Sequence, residues 1–297
     1  MVGTALATSP VGSSADAERS IGIGRLAVKL VAGRSRVVDA YSTNPLRLLT
    51  PTPPPQVGSP DPPRVFVTGY GGGLLSGDRI NMDVAVADSA SLLLSTQAST
   101  KVYHADADRR AARQVVRATV GPEARLAVIP DPVVCFADAI YEQDQRFELQ
   151  TGAGLAVLDW FTAGRTASGE SWAFSRYASR TRIAIDGREV AHDALTIDKN
   201  TPGGVALFGR GESFTVMATL WLAGSAAPIG RSWIEGLTTR DLDRTSSLQA
   251  SGGVLCDGLT CVARWAGQSV ASVQSAIQEA LASLSQAWRI GPWDRKW

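Results

Sequence analysis

The stretch Gly69-Tyr70-Gly71-Gly72-Gly73-Leu74-Leu75-Ser76-Gly77-Asp78-Arg79 has the glycine density of a loop that cradles phosphate. The chemistry fails at two positions. A dinucleotide fingerprint, G-x-G-x-x-G, opened at Gly71 needs a glycine where Ser76 stands. A phosphate loop, G-x-x-x-x-G-K-[ST], opened at Gly72 reaches Gly77 and then meets Asp78 in place of lysine, and a carboxylate repels phosphate. No helical period follows to supply an N-terminal dipole. The glycines are therefore read as backbone devices, for tight turning and close strand approach, with Asp78 at the entry of a strand.

Tight metal binding has little to draw on. The only histidines are His104 and His192, and His104 is read as a surface or partner-facing residue. Cys135, Cys256 and Cys261 are too few and too scattered for a disulfide framework, and are read as buried, inert thiols. Two polar features stand out instead. Asp159 lies between Leu158 and Trp160, where an unpaired carboxylate is expensive, so Lys101 or Arg165 is its expected partner, in an ion pair that a purely structural role would also explain. The run Ser95-Thr96-Gln97-Ala98-Ser99-Thr100-Lys101 follows the apolar Leu92–Leu94 without a turn signal. A strand this polar is either on the surface or faces an internal aqueous space.

The elements that must position these residues are mostly strands. Ile80, Met82, Val84 and Val86 alternate with small or polar residues, which predicts a strand with one buried face. Three similar phrases, each a small-residue turn and then a strand opening on leucine, place Leu92, Leu126 and Leu155 at intervals of 34 and 29 residues. Recurrence on that scale suggests coils stacked on one another, the alternative being ordinary hairpins of a sandwich. Asp186-Gly187 marks a hairpin turn between strand-like runs in 181–197, and 205–222 reads as strand again. Near the end Val270, Val273, Ile277, Leu281, Leu284 and Trp288 form one face of a helix, and a weaker helix is predicted at 230–237. The fold class expected is mostly β, a helical stack of β-strands, with one or two C-terminal helices.

Bulk properties set the remaining bounds. Residues 1–20 read as a mobile tail, and 21–297 as a single β domain with an exposed proline-rich loop at 50–63, where seven prolines exclude a central strand. Lys and Arg number 29 against 28 Asp and Glu, so no global charge attracts nucleic acid or an anionic membrane. The first residues lack a secretory pattern and no segment approaches ~20 consecutive apolar residues. A cytoplasmic protein is expected. Trp293 and Trp297 near the C-terminus suit an aromatic-rich interface.

GGGLLSGDRI, then LLLSTQASTKVY (Leu92–Tyr103), then TAGRTASGESWAFSRY (Thr162–Tyr177), in this order, resemble the UreD (UreH) family of urease accessory proteins. T-Q-[AS]-x-T-K-V-Y and G-R-x-A-S-G-E are the specific phrases, and the likeness runs from about Gly22 to the C-terminus. Pro130-Asp131-Pro132 departs from the P-Q-E phrase of bacterial members and looks more like the eukaryotic branch. The resemblance implies a scaffold and conduit in place of an enzyme. It would join apo-urease to a UreF-like protein, which recruits a UreG-like GTPase, and conduct nickel through an internal tunnel without holding any metal or cofactor tightly. On that footing Asp78, Lys101, Asp159 and Glu170 are the expected tunnel-lining residues, with Thr96, Gln97, Thr100 and Arg165 as polar support. Asp131 is equally a turn residue.

Two other classes stay open. A secreted-type β-solenoid hydrolase or lyase acting on polysaccharide needs an acid pair in an open groove, a part in which Asp159 and Glu170 would be cast. A purely structural adaptor needs no metal path.

Overall fold

The computed structural model describes residues 21–51, 62–200, 214–238 and 245–290. The expected tail at 1–20, most of the proline-rich loop, the first part of the strand expected at 205–222, and Trp293 and Trp297 lie outside the described residues. Within them the chain is mostly strand, with two late helices, and forms no closed barrel. The strands in chain order are β1 (Ile21–Val31), β2 (Arg34–Ser42), β3 (Leu46–Leu49), β4 (Arg64–Gly69), β5 (Arg79–Val86), β6 (Ser91–Thr96), β7 (Thr100–Val102), β8 (Ala112–Val120) and β9 (Arg125–Val128). They continue with β10 (Val133–Cys135), β11 (Ile140–Leu149), β12 (Gly154–Thr162), β13 (Arg176–Ile185), β14 (Arg188–Asp198), β15 (Val216–Gly224), β16 (Leu248–Leu255) and β17 (Thr260–Gly267). The helices are α1 (Ala227–Thr238) and α2 (Val270–Trp288).

Two open sheets result. A seven-stranded sheet runs β14-β13-β11-β8-β5-β1-β2, and a ten-stranded one runs β16-β17-β15-β12-β9-β6-β4-β3 with β7 and β10 attached beside β12. In the middle of the chain successive strands alternate between the sheets: β5, β8, β11 and β13 lie side by side and parallel in one, β6, β9 and β12 in the other. The spacing of the leucine phrases is the cause. Leu92 pairs with Leu126 and Leu126 with Leu155, so the three leucines form one row on the inner face of the larger sheet. Each is 1% exposed or less. Burial of this kind stabilises by roughly 1.5–3 kcal/mol per side chain. The adjacent row, Leu93, Ala127 and Ala156, points to the opposite face and packs under the helices.

Local signals end the elements where the residue types require it. Asp186 and Gly187 have φ of 50° and 77°, the left-handed pair that a two-residue hairpin between β13 and β14 needs. Helix α2 starts at Ser269, whose side chain accepts from the Ser272 amide, and stops at Arg289 in the left-handed region. Its buried stripe, Val273, Ile277, Leu281, Leu284 and Trp288, seals the outer face of the larger sheet together with α1, while Val270 is exposed. Gly154 is small so that Trp288 fits: a Cβ there would lie 2.7 Å from the indole ring.

The glycines of the first motif do backbone work. Gly71 and Gly72 have φ of 80° and 78°, and a Cβ on Gly73 would meet the Lys101 carbonyl at 2.8 Å. That close approach lets Leu74 bridge Val102.

Candidate functional site

The space between the sheets is apolar at both ends and polar in the middle. One end holds Leu92, Leu126, Leu155, Phe147 and Ile183, and the other holds Ile80, Val102, Tyr141, Phe161 and Tyr177. Between them the inward positions turn polar on strand after strand. On β8, Gln114 separates Ala112 from Val116, and on β11, Gln143 and Gln145 separate Tyr141 from Phe147. On β12, Asp159 separates Val157 from Phe161, and on β13, Ser179 and Thr181 separate Tyr177 from Ile183.

A cavity of about 40 Å³ opens in this layer, with Thr96, Thr100, Gln114, Asp131, Gln143, Gln145 and Asp159 on its wall. One water needs at least ~10–15 Å³ and a few polar partners, so roughly two or three waters fit here.

Asp159 is the centre of the hydrogen bonding. Gln143 Nε2 donates to its Oδ1 at 3.1 Å and the Tyr177 hydroxyl donates to the same oxygen at 3.3 Å. Ser179 Oγ donates to Oδ2. The Tyr141 hydroxyl lies 3.2 Å from Gln114 Oε1 and 3.0 Å from Gln143 Oε1, and orients both amides. Burial raises the Asp159 pKa above the ordinary aspartate value, with the donors from Ser179, Gln143 and Tyr177 acting the other way and the charge of Asp193 adding to the rise. The phenols of Tyr141 and Tyr177 are pushed well up by burial and then by the Asp159 charge, so both remain donors.

The expected cation is elsewhere. Among the described residues no lysine or arginine forms an ion pair with Asp159, whose partners are neutral. Lys101 is exposed on β7, because its neighbours Thr100 and Val102 take the inward positions. Arg165 is exposed and binds Glu170, which also accepts from the Ala137 amide at 3.2 Å. That pairing lowers the Glu170 pKa through the Arg165 hydrogen bond. Asp78 is 7% exposed but sits at a turn, where its Oδ2 accepts from the Leu75 amide at 2.8 Å. Gln97 is exposed.

Of the eight residues expected from sequence, the structure therefore brings Asp159, Thr96 and Thr100 to the cavity and leaves Asp78, Lys101, Glu170, Gln97 and Arg165 off its wall. Asp131 joins them through Thr96, whose hydroxyl donates to Oδ2 at 3.1 Å while accepting from the Asp131 amide at 2.7 Å. Asp159 and Glu170 do not share a groove, as a paired-acid hydrolase would require. Gln114, Gln143, Gln145 and Ser179 were missed. Their signal was an uncharged polar residue at an inward position of a strand whose other inward residues are apolar.

Cys135 is buried, and burial raises its thiol pKa strongly. Cys256 donates to the Val190 carbonyl and Cys261 to that of Ala227. His104 and His192 are exposed. Among the described residues no group of three or more His, Cys, Asp or Glu side chains is placed to hold a metal ion, and no helix is long and apolar enough to cross a membrane. What the layer offers a cation is one half-buried carboxylate, Asp131 beyond it, and a set of amide and hydroxyl oxygens, a weak donor set for first-row metals.

Comparison with known proteins gives this arrangement its context. A urease accessory protein UreD from Anaeromyxobacter sp. (strain Fw109-5) is 37% identical over 92% of this chain and 89% of its own length. One from Sorangium cellulosum is 41% identical over 93% of this chain and 84% of its own. Urease accessory protein D of Oryza sativa subsp. japonica is 38% identical over 71% of this chain and 67% of its own. The profile of the UreD urease accessory protein family matches residues 21–297, and the chain belongs to that family.

Proposed function

We propose that this protein serves urease maturation as a scaffold and a nickel conduit, with the polar layer between its sheets as the passage. In this reading it is cytoplasmic and not an enzyme. It joins apo-urease to a UreF-like protein and, through that, to a UreG-like GTPase. Nickel is its cargo and is not a resident cofactor. The alternation of strands between the sheets supports reading the body as a helical stack whose inward side chains line a continuous interior.

The observation that carries the proposal is Asp159. A half-buried carboxylate without a cationic partner is costly unless something stabilises its charge. Here it faces a cavity with room for water and is held by three neutral donors. A divalent ion arriving with part of its hydration shell would find one charge and several oxygens, enough to attract it and too few to retain it. Glu170, bound to Arg165 outside the cavity, has no part in this path.

The test is co-expression of apo-urease with its accessory proteins and either the wild-type chain or Asp159→Leu, followed by measurement of urease nickel content and activity in complexes shown to assemble. Loss of nickel loading with assembly intact supports the conduit. Full loading by Asp159→Leu removes the proposed passage and leaves the adaptor reading.

A further inference from the structure

Both helices pack on the ten-stranded sheet, and among the described residues no element covers the outer face of the seven-stranded one. That face carries an ordered charge pattern. Register places Arg25, Asp83, Arg117, Arg146 and Arg182 in one row across β1, β5, β8, β11 and β13. With strands ~4.8 Å apart, the row is about 19 Å long. The next row sets Arg180 beside Asp144, and the row beyond it places Arg79 and Arg113 beside Glu142. The three rows thus hold seven arginines and three carboxylates. Asp144 is moreover only 12% exposed, beneath Arg146 and Arg182 at 3.2 Å and Arg180 at 3.8 Å. On the other side of the Arg25 row the sign reverses, with Asp39, Glu148 and Glu189 in one row. At the β1–β2 edge the arginine band meets Ile21, Ile23 and Tyr41, which are 45–51% exposed, and Arg25 stacks on the Tyr41 ring at 4.8 Å.

We infer that this face docks a protein surface bearing a line of carboxylates, with basic residues opposite the Asp39–Glu148–Glu189 row and an apolar spot against Ile21 and Ile23. Exposed guanidinium groups in a row match carboxylates in two-pronged hydrogen bonds. The acidic row decides against nucleic acid, whose uniformly negative backbone would be repelled there, whereas a protein can present both signs. The inference rests on the reading that this chain acts on urease together with other accessory proteins, since those are the candidate partners.

The experiment measures binding of the purified wild-type chain, and of R113E/R117E, to apo-urease and to each co-expressed accessory protein. Both substituted residues lie on β8 at the centre of the band, and neither touches Asp144 or the cavity. The expected result is a loss of affinity for one partner of about tenfold or more near physiological salt, shrinking as salt is raised. R113Q/R117Q should fall between, and it decides the question by the same criterion if the reversed-charge variant does not fold. Wild-type affinity of the variants for every partner overturns the docking face and leaves the accessory role intact. A wild-type chain that binds none of the partners overturns both. Capture of a short DNA duplex by the wild-type chain and not by R113E/R117E, with protein binding unchanged, assigns the band to polyanions and also overturns the inference.

Discussion

The side-chain amide of Gln143 on β11 donates to Oδ1 of Asp159 on β12 at 3.1 Å, and so ties the seven-stranded sheet to the ten-stranded one through a hydrogen bond in the interior. Above and below it the interior between the sheets is apolar packing, and further polar ties such as Arg264 to Asp193 at 2.9 Å lie nearer the surface. At the level of Asp159, fixed polar geometry replaces that packing, and that sets the terms of the first prediction.

Burial raises the Asp159 pKa, so between the unfolded and the folded pKa the folded state alone holds the proton. The contribution to stability is full below the unfolded value and is lost as pH rises through the folded one. Asp159→Asn removes the half-buried charge and keeps an acceptor. It should raise stability at neutral pH by about 1 kcal/mol or more, the gain fading as pH falls toward the ordinary aspartate range. Urea titrations of both proteins across pH check this, and a gain that does not change with pH refutes it.

Asp144 behaves in the opposite sense. Burial acts to raise its pKa, but the hydrogen bonds and charges of Arg146 and Arg182 outweigh it and the net shift is downward. Its stabilisation is present above the unfolded pKa and is lost as pH falls through the folded one. Asp144→Asn leaves three arginines without their shared anion and should cost about 1–3 kcal/mol at neutral pH, less in acid. Equilibrium denaturation at two pH values measures it.

Leu126 is the middle of the three stacked leucines and is fully buried. Leu126→Ala should destabilise by about 3–4 kcal/mol, since the parallel rows on either side restrict collapse around the gap. Leu126→Met, nearly equal in volume, should cost less than about 1.5 kcal/mol. Comparable losses for the two would place the site outside a tight core.

Gly154→Ala brings a methyl group against the Trp288 ring and should cost about 1–3 kcal/mol by overpacking. Gly154→Ala combined with Trp288→Leu should lose less than the sum of the two single changes, because the smaller side chain makes room. Thermal melts of the four proteins provide the cycle.

The strands were legible in the sequence wherever one face is apolar, as at Ile80–Val86, and so were the helix at 270–288 and the Asp186-Gly187 hairpin. Each is governed by a period or a turn chemistry local to a few residues. The leucine phrases went further and anticipated three strands that lie side by side. The polar layer was only partly legible. Asp159 was conspicuous because a charge among apolar residues is costly. Lys101 stands off the cavity wall because side-chain direction in a strand turns on a single residue of register, and Thr100 holds the inward position. Glu170 stands off it too, bound to Arg165 five residues away on the same loop, a local pairing that spacing alone does not distinguish from a contact in the interior. The glutamines escaped notice because an uncharged side chain in a strand raises no alarm until the face it occupies is known.

The parallel alignment of β6, β9 and β12 also bears on how the chain comes into being. Each of these strands hydrogen-bonds to the one made before it, so a polypeptide emerging from the ribosome can lay down its layers in the order of synthesis, every finished layer serving as template for the next. The run of parallel additions stops at β15, which returns antiparallel along β12, and the sheet then grows on by antiparallel pairing through β17 and β16.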